Sequence, residues 1–358
     1  MEAMGLSSVR WPDPRFWAGQ RVLLTGHTGF KGSWASLWLE KMGAEVFGLA
    51  LAPDHRPDLF GQLAPFAQAR STLVDIVDAQ AVRAVVAEAQ PTLVLHMAAQ
   101  PLVRAGYADP ARTFAVNVQG TVNLLDALAG ARDLRAVLVV TTDKVYRNDG
   151  AGRRFVESDP LGGTDPYAAS KAAAELVVEA YAHSRLKGLA LATARGGNVI
   201  GGGDWSVDRL VPDVWRALQE RRTLQLRYPA ATRPWQHVLD CLSGYFCFLE
   251  TLATAAQAPR ALNFGPAKEE VTVAEVAEMM GAALGQERGW ALAPGVHLPE
   301  APVLALDSAA ATAQLGWRPL LDARASLAWT ADWYRGFDAG MPVRALCETQ
   351  LAAYRELG

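Results

Sequence analysis

Short apolar runs alternate with helix-like stretches up to about residue 200 of the chain. The first run, Arg21-Val22-Leu23-Leu24-Thr25, predicts a buried strand, and residues 32–42 predict a helix that ends at Gly43. Further strands are predicted at residues 45–51, 72–76, 92–98 and 136–142, with a helical region at 109–129 before the last of them. Continuous apolar strands separated by helices are typical of a parallel sheet covered on both faces. The pattern therefore predicts a doubly wound α/β fold whose ligand lies at the carboxyl ends of the strands.

Composition narrows the classes of function. Hydrophobic residues make up 51% of the chain and charged residues 20%, as in ordinary globular enzymes. A net charge of -3 argues against nucleic acid or a membrane surface as a partner. The N-terminus lacks the pattern of a secretory signal and no apolar run is long enough to span a bilayer, so we expect a cytoplasmic protein. Cys241, Cys247 and Cys347 have no metal-binding spacing, so we expect reduced thiols and no metal.

A glycine-rich loop, Gly26-His27-Thr28-Gly29-Phe30-Lys31-Gly32, lies between the first predicted strand and the first predicted helix. Glycines let a backbone approach a pyrophosphate closely, and a helix N-terminus offers N–H donors to it. The spacing is G-x-x-G-x-x-G, not the more common G-x-G-x-x-G, and a plain strand-to-helix turn is the alternative. Its position at the first βα turn favours a dinucleotide site.

Two later strand ends add to this interpretation. Asp75-Ile76 ends the third predicted strand, where a carboxylate can accept the adenine amino group, although a solvated aspartate is the simpler alternative. The fourth predicted strand ends in His96-Met97-Ala98-Ala99-Gln100, whose small residues leave room for a cofactor. No acid ends the second predicted strand, since Leu49-Ala50-Leu51-Ala52-Pro53 precedes Asp54. Spacing alone therefore leaves NAD and NADP both open.

Candidate catalytic residues follow the fifth predicted strand. Tyr167 and Lys171 stand four apart after the helix-starting pair Asp165-Pro166, which places both side chains on one helix face. A nearby ammonium stabilises a phenolate and so lowers the pKa of a tyrosine from about 10. Such pairs are often only solvated helix faces, but this one comes one strand-helix step after Thr141-Thr142-Asp143-Lys144. Together with the glycine loop, this placement favours catalysis.

The segments TGHTGFKG, HMAAQPLVRAGY, TTDKVY, GGTDPYAASK, RGGNVIGGGDW and RPWQHVLDCLSGY resemble the extended short-chain dehydrogenase/reductases of the NAD-dependent epimerase/dehydratase type. The resemblance is to the branch of 4,6-dehydratases that act on CDP-glucose, and it covers nearly the whole chain. It implies NAD as the cofactor and a sugar nucleotide, CDP-glucose, as the substrate. It also implies a homodimer or homotetramer that pairs through the Tyr-x-x-x-Lys helix.

The resemblance implies a role for each catalytic candidate. Tyr167 takes the O4 proton of the sugar, Lys171 holds the nicotinamide ribose, and Thr142 bonds the same O4. Asp143 stands at the position of the acid that protonates the departing 6-hydroxyl. Lys144 stands where related dTDP-glucose dehydratases carry the glutamate that removes the C5 proton. An ammonium is a poor base at neutral pH; burial and Lys171 favour the neutral amine, whereas nearby phosphates favour the ammonium.

The binding residues that the resemblance implies fall into two sets. The cofactor set is Gly26, His27, Thr28, Gly29, Phe30, Lys31, Gly32, Asp75, Ile76, Met97, Ala98, Ala99, Gln100, Asn117, Thr141, Tyr167 and Lys171. The substrate set is Gln100, Arg104, Asn198, Arg209, Arg227, Arg233, Trp235 and His237. Arginine forks suit phosphate oxygens, but any one of these arginines is as well explained by an ordinary surface role, and Trp235 by a core role.

After about residue 200 the pattern loosens, with a loop at 201–205 and frequent Pro, Trp and Arg at 212–235. We expect an N-terminal extension at 1–16, an NAD-binding Rossmann domain at 17–200 with 236–256 returning to it, and a smaller mixed α/β substrate lobe at 201–235 and 257–358. The expected reaction is dehydration of CDP-glucose to CDP-4-keto-6-deoxyglucose. The alternatives are a sugar-nucleotide 4-epimerase, which needs no acid at Asp143, and a non-catalytic NAD(H)-binding protein, in which loss of Tyr167 or Lys171 is expected.

Overall fold

The structure is a computed structural model that describes residues 9–358 except residue 55 and residues 67–69, 268–270 and 286–288. At its centre lies a parallel sheet of seven strands. These strands are β1 (Arg21–Thr25), β2 (Glu45–Ala50), β3 (Ser71–Leu73), β4 (Leu93–His96), β5 (Ala136–Thr142), β6 (Ala190–Gly196) and β11 (Ala261–Phe264). Their order in space is β3-β2-β1-β4-β5-β6-β11, and every neighbouring pair is parallel. The predicted doubly wound α/β fold is confirmed.

Helices cover both faces of the sheet. In the first half of the chain they are α1 (Pro14–Trp17), α2 (Phe30–Lys41), α3 (Leu59–Leu63), α4 (Ala79–Ala89), α5 (Val103–Ala108), α6 (Pro110–Phe114), α7 (Gly120–Leu128) and α8 (Pro166–His183). In the second half they are α9 (Leu210–Gln219), α10 (Val238–Thr254), α11 (Val273–Ala283), α12 (Ala309–Leu315), α13 (Ala323–Asp338) and α14 (Val343–Arg355). None of the helices described is both long and apolar enough to cross a membrane.

Two apolar clusters hold the sheet between its helices. One joins β1, α2 and α10 to the C-terminal helices through fully buried rings such as Trp34, Phe246 and Trp333. The other joins the opposite face to α4, α7 and α8, with Leu124 and Val137 at its centre. Because both faces are covered, the strands are apolar without alternation, which is the pattern seen in the sequence.

The structure refines two predicted elements. The third predicted strand is shorter than expected, since β3 ends at Leu73 and Asp75 lies in the turn beyond it. The predicted helix at 109–129 is interrupted by a π-helical turn, Ala115–Gln119, between α6 and α7. A π turn inserts one residue into the helical ladder and commonly marks a functional site.

The second half of the chain forms three small strand pairs beside the sheet. They are β7 (Asn198–Ile200) with β10 (Trp235–His237), β9 (Thr232–Arg233) with β12 (Val271–Thr272), and β8 (Leu224–Leu226) with β13 (Trp290–Leu292). One boundary of the predicted lobes moves, because β11 pairs with β6 in the main sheet although the prediction placed it in the substrate lobe. A single edge strand far along the chain has no local signal that distinguishes it from a lobe strand. The remaining division into lobes stays a prediction.

The predicted N-terminal extension lies partly outside the described residues, which begin at residue 9. The part that is described docks on α10 through one buried carboxylate. Glu250 accepts hydrogen bonds from the Arg10 guanidinium at 3.1 Å, the Asp13 backbone N–H at 2.7 Å and the Trp17 indole at 2.7 Å. This segment therefore packs against the fold as a strap over α10.

Candidate active site

A cavity of about 1110 Å³ opens at the carboxyl ends of the sheet strands. Ligand sites of doubly wound folds lie at this edge, and the volume exceeds the ~300–1000 Å³ of usual small-molecule pockets. The predicted site residues that line it are Gly26, Thr28, Gly29, Phe30, Lys31, Gly32, Asp75, Ile76, Met97, Ala98, Ala99, Arg104, Thr141, Thr142, Lys144, Tyr167, Lys171, Asn198, Arg209, Arg227, Arg233 and Trp235. Those that lie outside its lining are His27, Gln100, Asn117, Asp143 and His237.

The glycine loop is built for close backbone contact. Gly26 has φ +76°, and a Cβ there would lie 2.8 Å from the Ala98 backbone nitrogen. A Cβ on Gly32 would lie 2.0 Å from the Gly26 carbonyl oxygen. α2 begins directly after Gly29, which has no side chain to cap the first N–H groups of the helix. The loop therefore offers uncapped donors in a cradle that side chains would fill, and this geometry fits a dinucleotide pyrophosphate.

His27 takes a different place from the one predicted. Its ring is fully buried behind the loop, where Nε2 lies 2.7 Å from the Ser71 hydroxyl. A Cβ on Gly48 would come within 2.5 Å of the ring, so β2 passes directly over it. Burial lowers the pKa of His27 to about 4, which keeps the ring neutral. His27 therefore supports the loop from below and does not face the cavity.

A buried histidine also fixes the end of β4. His96 Nδ1 lies 2.6 Å from the Thr25 hydroxyl and Nε2 lies 3.0 Å from the Thr121 hydroxyl. Thr25 Oγ1 in turn accepts the backbone N–H groups of Met97 and Ala98, at 3.1 and 3.0 Å. Burial, and secondarily the charge of Lys171, lower the pKa of His96 to about 3. The ends of β1 and β4, between which the strand order reverses, are thereby locked together.

Asn117 and Gln100 lie outside the cavity lining and form hydrogen bonds between the elements that surround it. Asn117, in the π-helical turn, accepts the Gln100 backbone N–H at 2.8 Å and donates to the Ser170 hydroxyl at 2.9 Å. The Gln100 amide donates to Thr113 at 2.8 Å and accepts the Leu102 N–H at 2.6 Å. The polar groups of both predicted binding residues are thus used within the protein: Asn117 ties the loop after β4 to α8, and Gln100 ties it to α6.

Asp75 lines the cavity, but its carboxylate is engaged. Oδ2 accepts a hydrogen bond from Arg112 at 2.5 Å, and Oδ1 accepts the Val77 backbone N–H at 3.0 Å. Arg112 also lines the cavity, and nothing in the local sequence pattern identified it. Any contact of Asp75 with an adenine amino group must therefore share an oxygen with these partners.

The catalytic candidates after β5 form one hydrogen-bonded group. Asp143 is 1% exposed; its Oδ1 accepts the Thr142 hydroxyl at 2.8 Å and the Lys144 ammonium at 3.2 Å. Its Oδ2 is buried with no hydrogen-bond partner among the residues that the structure describes. Thr142 and Lys144 line the cavity and Asp143 lies behind them. The Asp143 carboxyl group therefore contacts two residues of the cavity wall, Thr142 and Lys144, and does not itself line the cavity.

Tyr167 and Lys171 lie on α8, whose first turn is capped by Asp165 through a 2.9 Å bond from the Ala168 N–H. Burial raises the pKa of Tyr167, against the opposing effects of the Arg209 charge and a hydrogen bond with Thr142. The expected lowering of this pKa is not seen, because burial outweighs the Arg209 charge and the Thr142 hydrogen bond. Lys171 donates to the Val140 carbonyl of β5 at 2.7 Å.

Lys171 itself has a shifted pKa. Burial and the charge of Lys31 lower its pKa to about 8, although Glu175 opposes the shift. Lys31, at the start of α2, also has a pKa lowered by burial, and its ammonium lies 5.9 Å from the centre of the Tyr245 ring. The glycine loop thus contributes a second lysine to the catalytic end of the cavity, in addition to its backbone donors.

A chain of alternating charges forms the substrate side of the cavity. Asp208 pairs with Arg104 at 2.6 Å and with Arg227 at 3.7 Å. Glu300 pairs with Arg227 at 3.3 Å and with Arg233 at 3.0 Å. These arginines were predicted, whereas the two carboxylates were missed, because neither carries a local signal that would separate it from an ordinary surface acid.

Arg209 differs from the other arginines of the substrate set. It lines the cavity and forms no ion pair within the part of the chain that the structure describes. Its charge acts on both Lys31 and Tyr167. Arg209 is therefore the cation best placed to meet an anionic group next to Tyr167.

Three further predicted contacts lie on the strand pair β7–β10. Asn198 and Trp235 are paired in register and both line the cavity, and the Trp235 indole donates to the Val271 carbonyl at 3.1 Å. His237 is fully buried, accepts the Leu239 N–H at 3.3 Å, and has its pKa lowered to about 3 by burial. His237 starts α10 as a neutral cap and does not face the cavity.

The chain is similar in sequence and in structure to known enzymes that act on sugar nucleotides. Residues 22–265 match the family model described as "NAD dependent epimerase/dehydratase family". A CDP-glucose 4,6-dehydratase of Salmonella typhimurium is 40% identical over 96% of this chain and 98% of its own length. A dTDP-glucose 4,6-dehydratase of Xanthomonas campestris is 28% identical over 87% of this chain and 92% of its own. Among solved structures, UDP-glucose 4-epimerase of Thermus thermophilus in complex with NAD superimposes with a TM-score of 0.76, at 28% identity, and covers 88% of this chain and 99% of its own.

Proposed function

The chain belongs to the NAD-dependent epimerase/dehydratase family, and on that premise we propose that it is a sugar-nucleotide 4,6-dehydratase that converts CDP-glucose to CDP-4-keto-6-deoxyglucose. The observation that carries this proposal is the Thr142-Asp143-Lys144 group at the end of β5, which sits beside Tyr167 and Lys171. A dehydratase needs a proton donor for the departing hydroxyl in addition to a tyrosine and a lysine. The near-full-length similarity to a CDP-glucose 4,6-dehydratase supports the choice of nucleotide.

The residues that would hold NAD are those of the cradle. Gly26, Gly29 and Gly32 leave the backbone open to a pyrophosphate, and Lys171 and Tyr167 lie at the far end of the same cavity. When bound, NAD would supply the reversible two-electron oxidation and reduction of the sugar, from C4 and back at C6, that the net loss of water requires. The enzyme is therefore a lyase in outcome.

Tyr167 is the group proposed to take the O4 proton. Its hydroxyl is placed by Thr142 and lies near the charge of Arg209, both of which favour the phenolate against the effect of burial on its pKa. Lys171, held on the Val140 carbonyl, adds a further cation at the same end of the cavity. A general base placed in this way typically contributes ~10²–10⁴-fold to a rate.

Asp143 is proposed to supply the proton to the 6-hydroxyl. Oδ1 already accepts two hydrogen bonds, so Oδ2 is the oxygen free to carry a proton. Asp143 lies behind the cavity wall, so the transfer is proposed as a relay through Thr142. The Thr142 hydroxyl gives its proton to the departing hydroxyl, and the carboxyl group, turned so that its protonated oxygen faces Thr142, replaces that proton. Lys144 lines the cavity next to it and is the candidate base for the C5 proton.

The charges of the substrate side fit a diphosphate diester. Three of the arginines that line the cavity there share two carboxylates, Asp208 and Glu300, so this chain of ion pairs has one more positive charge than negative. A sugar nucleotide carries two negative charges on its diphosphate. Arg209, with no ion-pair partner among the described residues, is the arginine we expect to bind it directly.

We also infer a homo-oligomer that pairs through α8. Leu176 on that helix is 58% exposed, and Phe114 on α6, which packs beside α8, is 39% exposed. Burial of such side chains against a second copy would remove apolar surface from water. Light scattering measures the state directly: a monomer at micromolar concentration contradicts this inference.

The test of the proposed reaction is a substrate panel. CDP-, UDP-, dTDP- and GDP-glucose are each incubated with the NAD-loaded protein, and products are identified by mass. Loss of one water from CDP-glucose is the expected result, with the other nucleotides turned over more slowly. A product of unchanged mass with inverted C4 would show a 4-epimerase instead, and unaltered sugars in all four incubations would leave only cofactor binding.

A further inference from the structure

A buried ion pair joins α8, the helix that carries Tyr167 and Lys171, to strand β6 of the sheet. Glu175 and Arg195 form a salt bridge at 2.8 Å, with side chains only 4% and 6% exposed. Arg195 also donates through Nε to the other carboxylate oxygen at 3.1 Å, so the pair is a two-pronged fork. Neither residue lines the cavity. A buried charge pair is costly to desolvate and is weak evidence for stability alone, so its location calls for another explanation.

The pair joins the elements that carry the reaction. The Thr141 hydroxyl of β5 donates to Glu175 at 2.5 Å, and the Thr193 hydroxyl of β6 donates at 2.7 Å. Arg195 donates through Nη1 to the Tyr146 hydroxyl at 2.9 Å. Tyr146 follows the Asp143–Val145 turn, and its hydroxyl donates to Asn263 of β11 at 2.6 Å. One fork thus connects α8, three strands of the sheet and the segment after the catalytic turn.

Lys171 lies on the same face of α8 as Glu175 and contacts the same part of β5. Glu175 stands four residues after Lys171 on α8, so the two side chains leave the same face of the helix. They dock on consecutive residues of β5: Lys171 on the Val140 carbonyl at 2.7 Å and Glu175 on the Thr141 hydroxyl. Two contacts with β5, one from Lys171 and one from Glu175, therefore hold this part of α8 against the sheet. The salt bridge from Arg195 fixes the second contact and so helps to place the Lys171 ammonium.

We propose that the buried Glu175–Arg195 fork is a positioning device that sets both the place and the charge of Lys171. Its meaning for catalysis rests on the proposed function, whereas its effect on Lys171 does not. Glu175 provides the negative charge that favours an ammonium there, and Arg195 holds the Glu175 carboxylate and partly neutralises its charge. Neither residue lines the cavity, so both are proposed to act through Lys171.

Other groups act on the Lys171 ammonium from the surrounding elements. Lys31 at the start of α2 repels it and, after burial, contributes most to lowering its pKa to about 8. His96 on β4 is neutral, because its own pKa is lowered to about 3. Tyr167 precedes it by one turn on α8 and has a raised pKa, so it is neutral as well. Glu175 is therefore the anion that opposes Lys31 at this position.

The two halves of the fork have opposite expected effects. Glu175→Gln removes the anion and leaves the Arg195 charge unbalanced, so Lys171 should lose its proton at lower pH. Arg195→Met removes the cation that balances Glu175, while the Thr141 and Thr193 hydroxyls still donate to its carboxylate, so Lys171 should hold its proton to higher pH. Glu175→Asp keeps the charge and should leave the midpoint close to that of the wild type.

The matched control is Glu250→Gln. Glu250 is also a buried carboxylate, 3% exposed, that pairs with an arginine, but it lies on α10 under the N-terminal segment. The control loses one buried charge of the same kind and should leave Lys171 unchanged. It separates the effect of charge near Lys171 from a general loss of stability.

The experiment measures the titration of Lys171 itself, without cofactor or substrate. Each protein is labelled with a trace of acetic anhydride over a range of neutral and alkaline pH, and the Lys171 peptide is quantified by mass spectrometry. Circular dichroism first confirms that each variant is folded. The expected midpoints move by at least about half a pH unit, down in Glu175→Gln and up in Arg195→Met. In an active enzyme the alkaline limb of kcat should move the same way.

The labelling midpoint of each variant is compared separately with that of the wild type. The proposal can therefore be tested even if only one of the two variants folds. A midpoint that stays at the wild-type value, or shifts in the same direction in both variants, would overturn the proposal. If the wild type dehydrates no sugar nucleotide, the proposed function fails, but the labelling midpoints still test the fork.

Discussion

Replacement of Asp143 by asparagine isolates the step that makes this protein a dehydratase. Asparagine has the same shape, and its amide oxygen can accept the bonds from the Thr142 hydroxyl and the Lys144 ammonium that Oδ1 accepts now, at 2.8 and 3.2 Å. The amide nitrogen would take the position of Oδ2, which has no partner among the described residues. The wall of the cavity should therefore keep its geometry and lose only its acid.

The magnitude follows from what the acid does. Hydroxide is a poor leaving group, so elimination without a proton donor should be ~10²–10⁴-fold slower, which corresponds to about 3–5 kcal/mol of barrier. Oxidation at C4 should persist, because Tyr167 and Lys171 are unchanged. The variant should then accumulate reduced cofactor together with a sugar that still carries its 6-hydroxyl.

The assay is a single turnover with excess enzyme. The near-ultraviolet absorbance of reduced nicotinamide reports oxidation, and mass spectrometry of the quenched sugar nucleotide reports loss of water. Asp165→Asn is the matched control, since Asp165 lines the same cavity and asparagine caps a helix about as well as aspartate. Dehydration by Asp143→Asn at the wild-type rate would refute the reasoning and place the acid elsewhere.

Three other outcomes are expected. Tyr167→Phe should bind sugar nucleotide normally but show no reduced nicotinamide in a single turnover; near-native turnover would remove Tyr167 from the mechanism. NAD+ should raise the melting temperature more than NADP+, because the segment at 49–54 that lines the cavity at the end of β2 contains no arginine or lysine to receive a 2′-phosphate; an equal or larger shift with NADP+ contradicts this. Burial raises the pKa of Asp240 from 3.8 to about 6, so the folded state binds the extra proton and the free energy of unfolding should fall as pH rises from about 4 to about 6. Urea unfolding across that range measures the slope, and Asp240→Asn should flatten it.

The chemistry-bearing motifs could be read from the sequence because they are local. The glycine loop, the Thr142-Asp143-Lys144 run and the pair Tyr167–Lys171 each lie within one turn or one helix face, where spacing dictates which groups meet. Apolar runs also predicted the strands of the sheet, since both of its faces are buried. The fold class and the catalytic end of the cavity followed from these patterns together with the family resemblance.

The packing around these motifs depended on residues far apart in the chain. His27 points under the loop because Gly48 of β2 has no side chain to collide with its ring, a contact between the loop and a strand that no local spacing records. Asp208 and Glu300 meet the same arginine from segments about ninety residues apart. Arg195 reaches Glu175 only because β6 lies beside α8.

Ionisation at the site was likewise decided by tertiary structure. A four-residue spacing predicts that a lysine lowers the pKa of a tyrosine, yet burial raises the pKa of Tyr167 and lowers that of Lys171 to about 8. The sequence determined which titratable groups share a helix face. Their charges depend on desolvation and on Lys31 and Glu175, and both effects are set by three-dimensional distance, because the electrostatic energy of a group depends on everything packed around it.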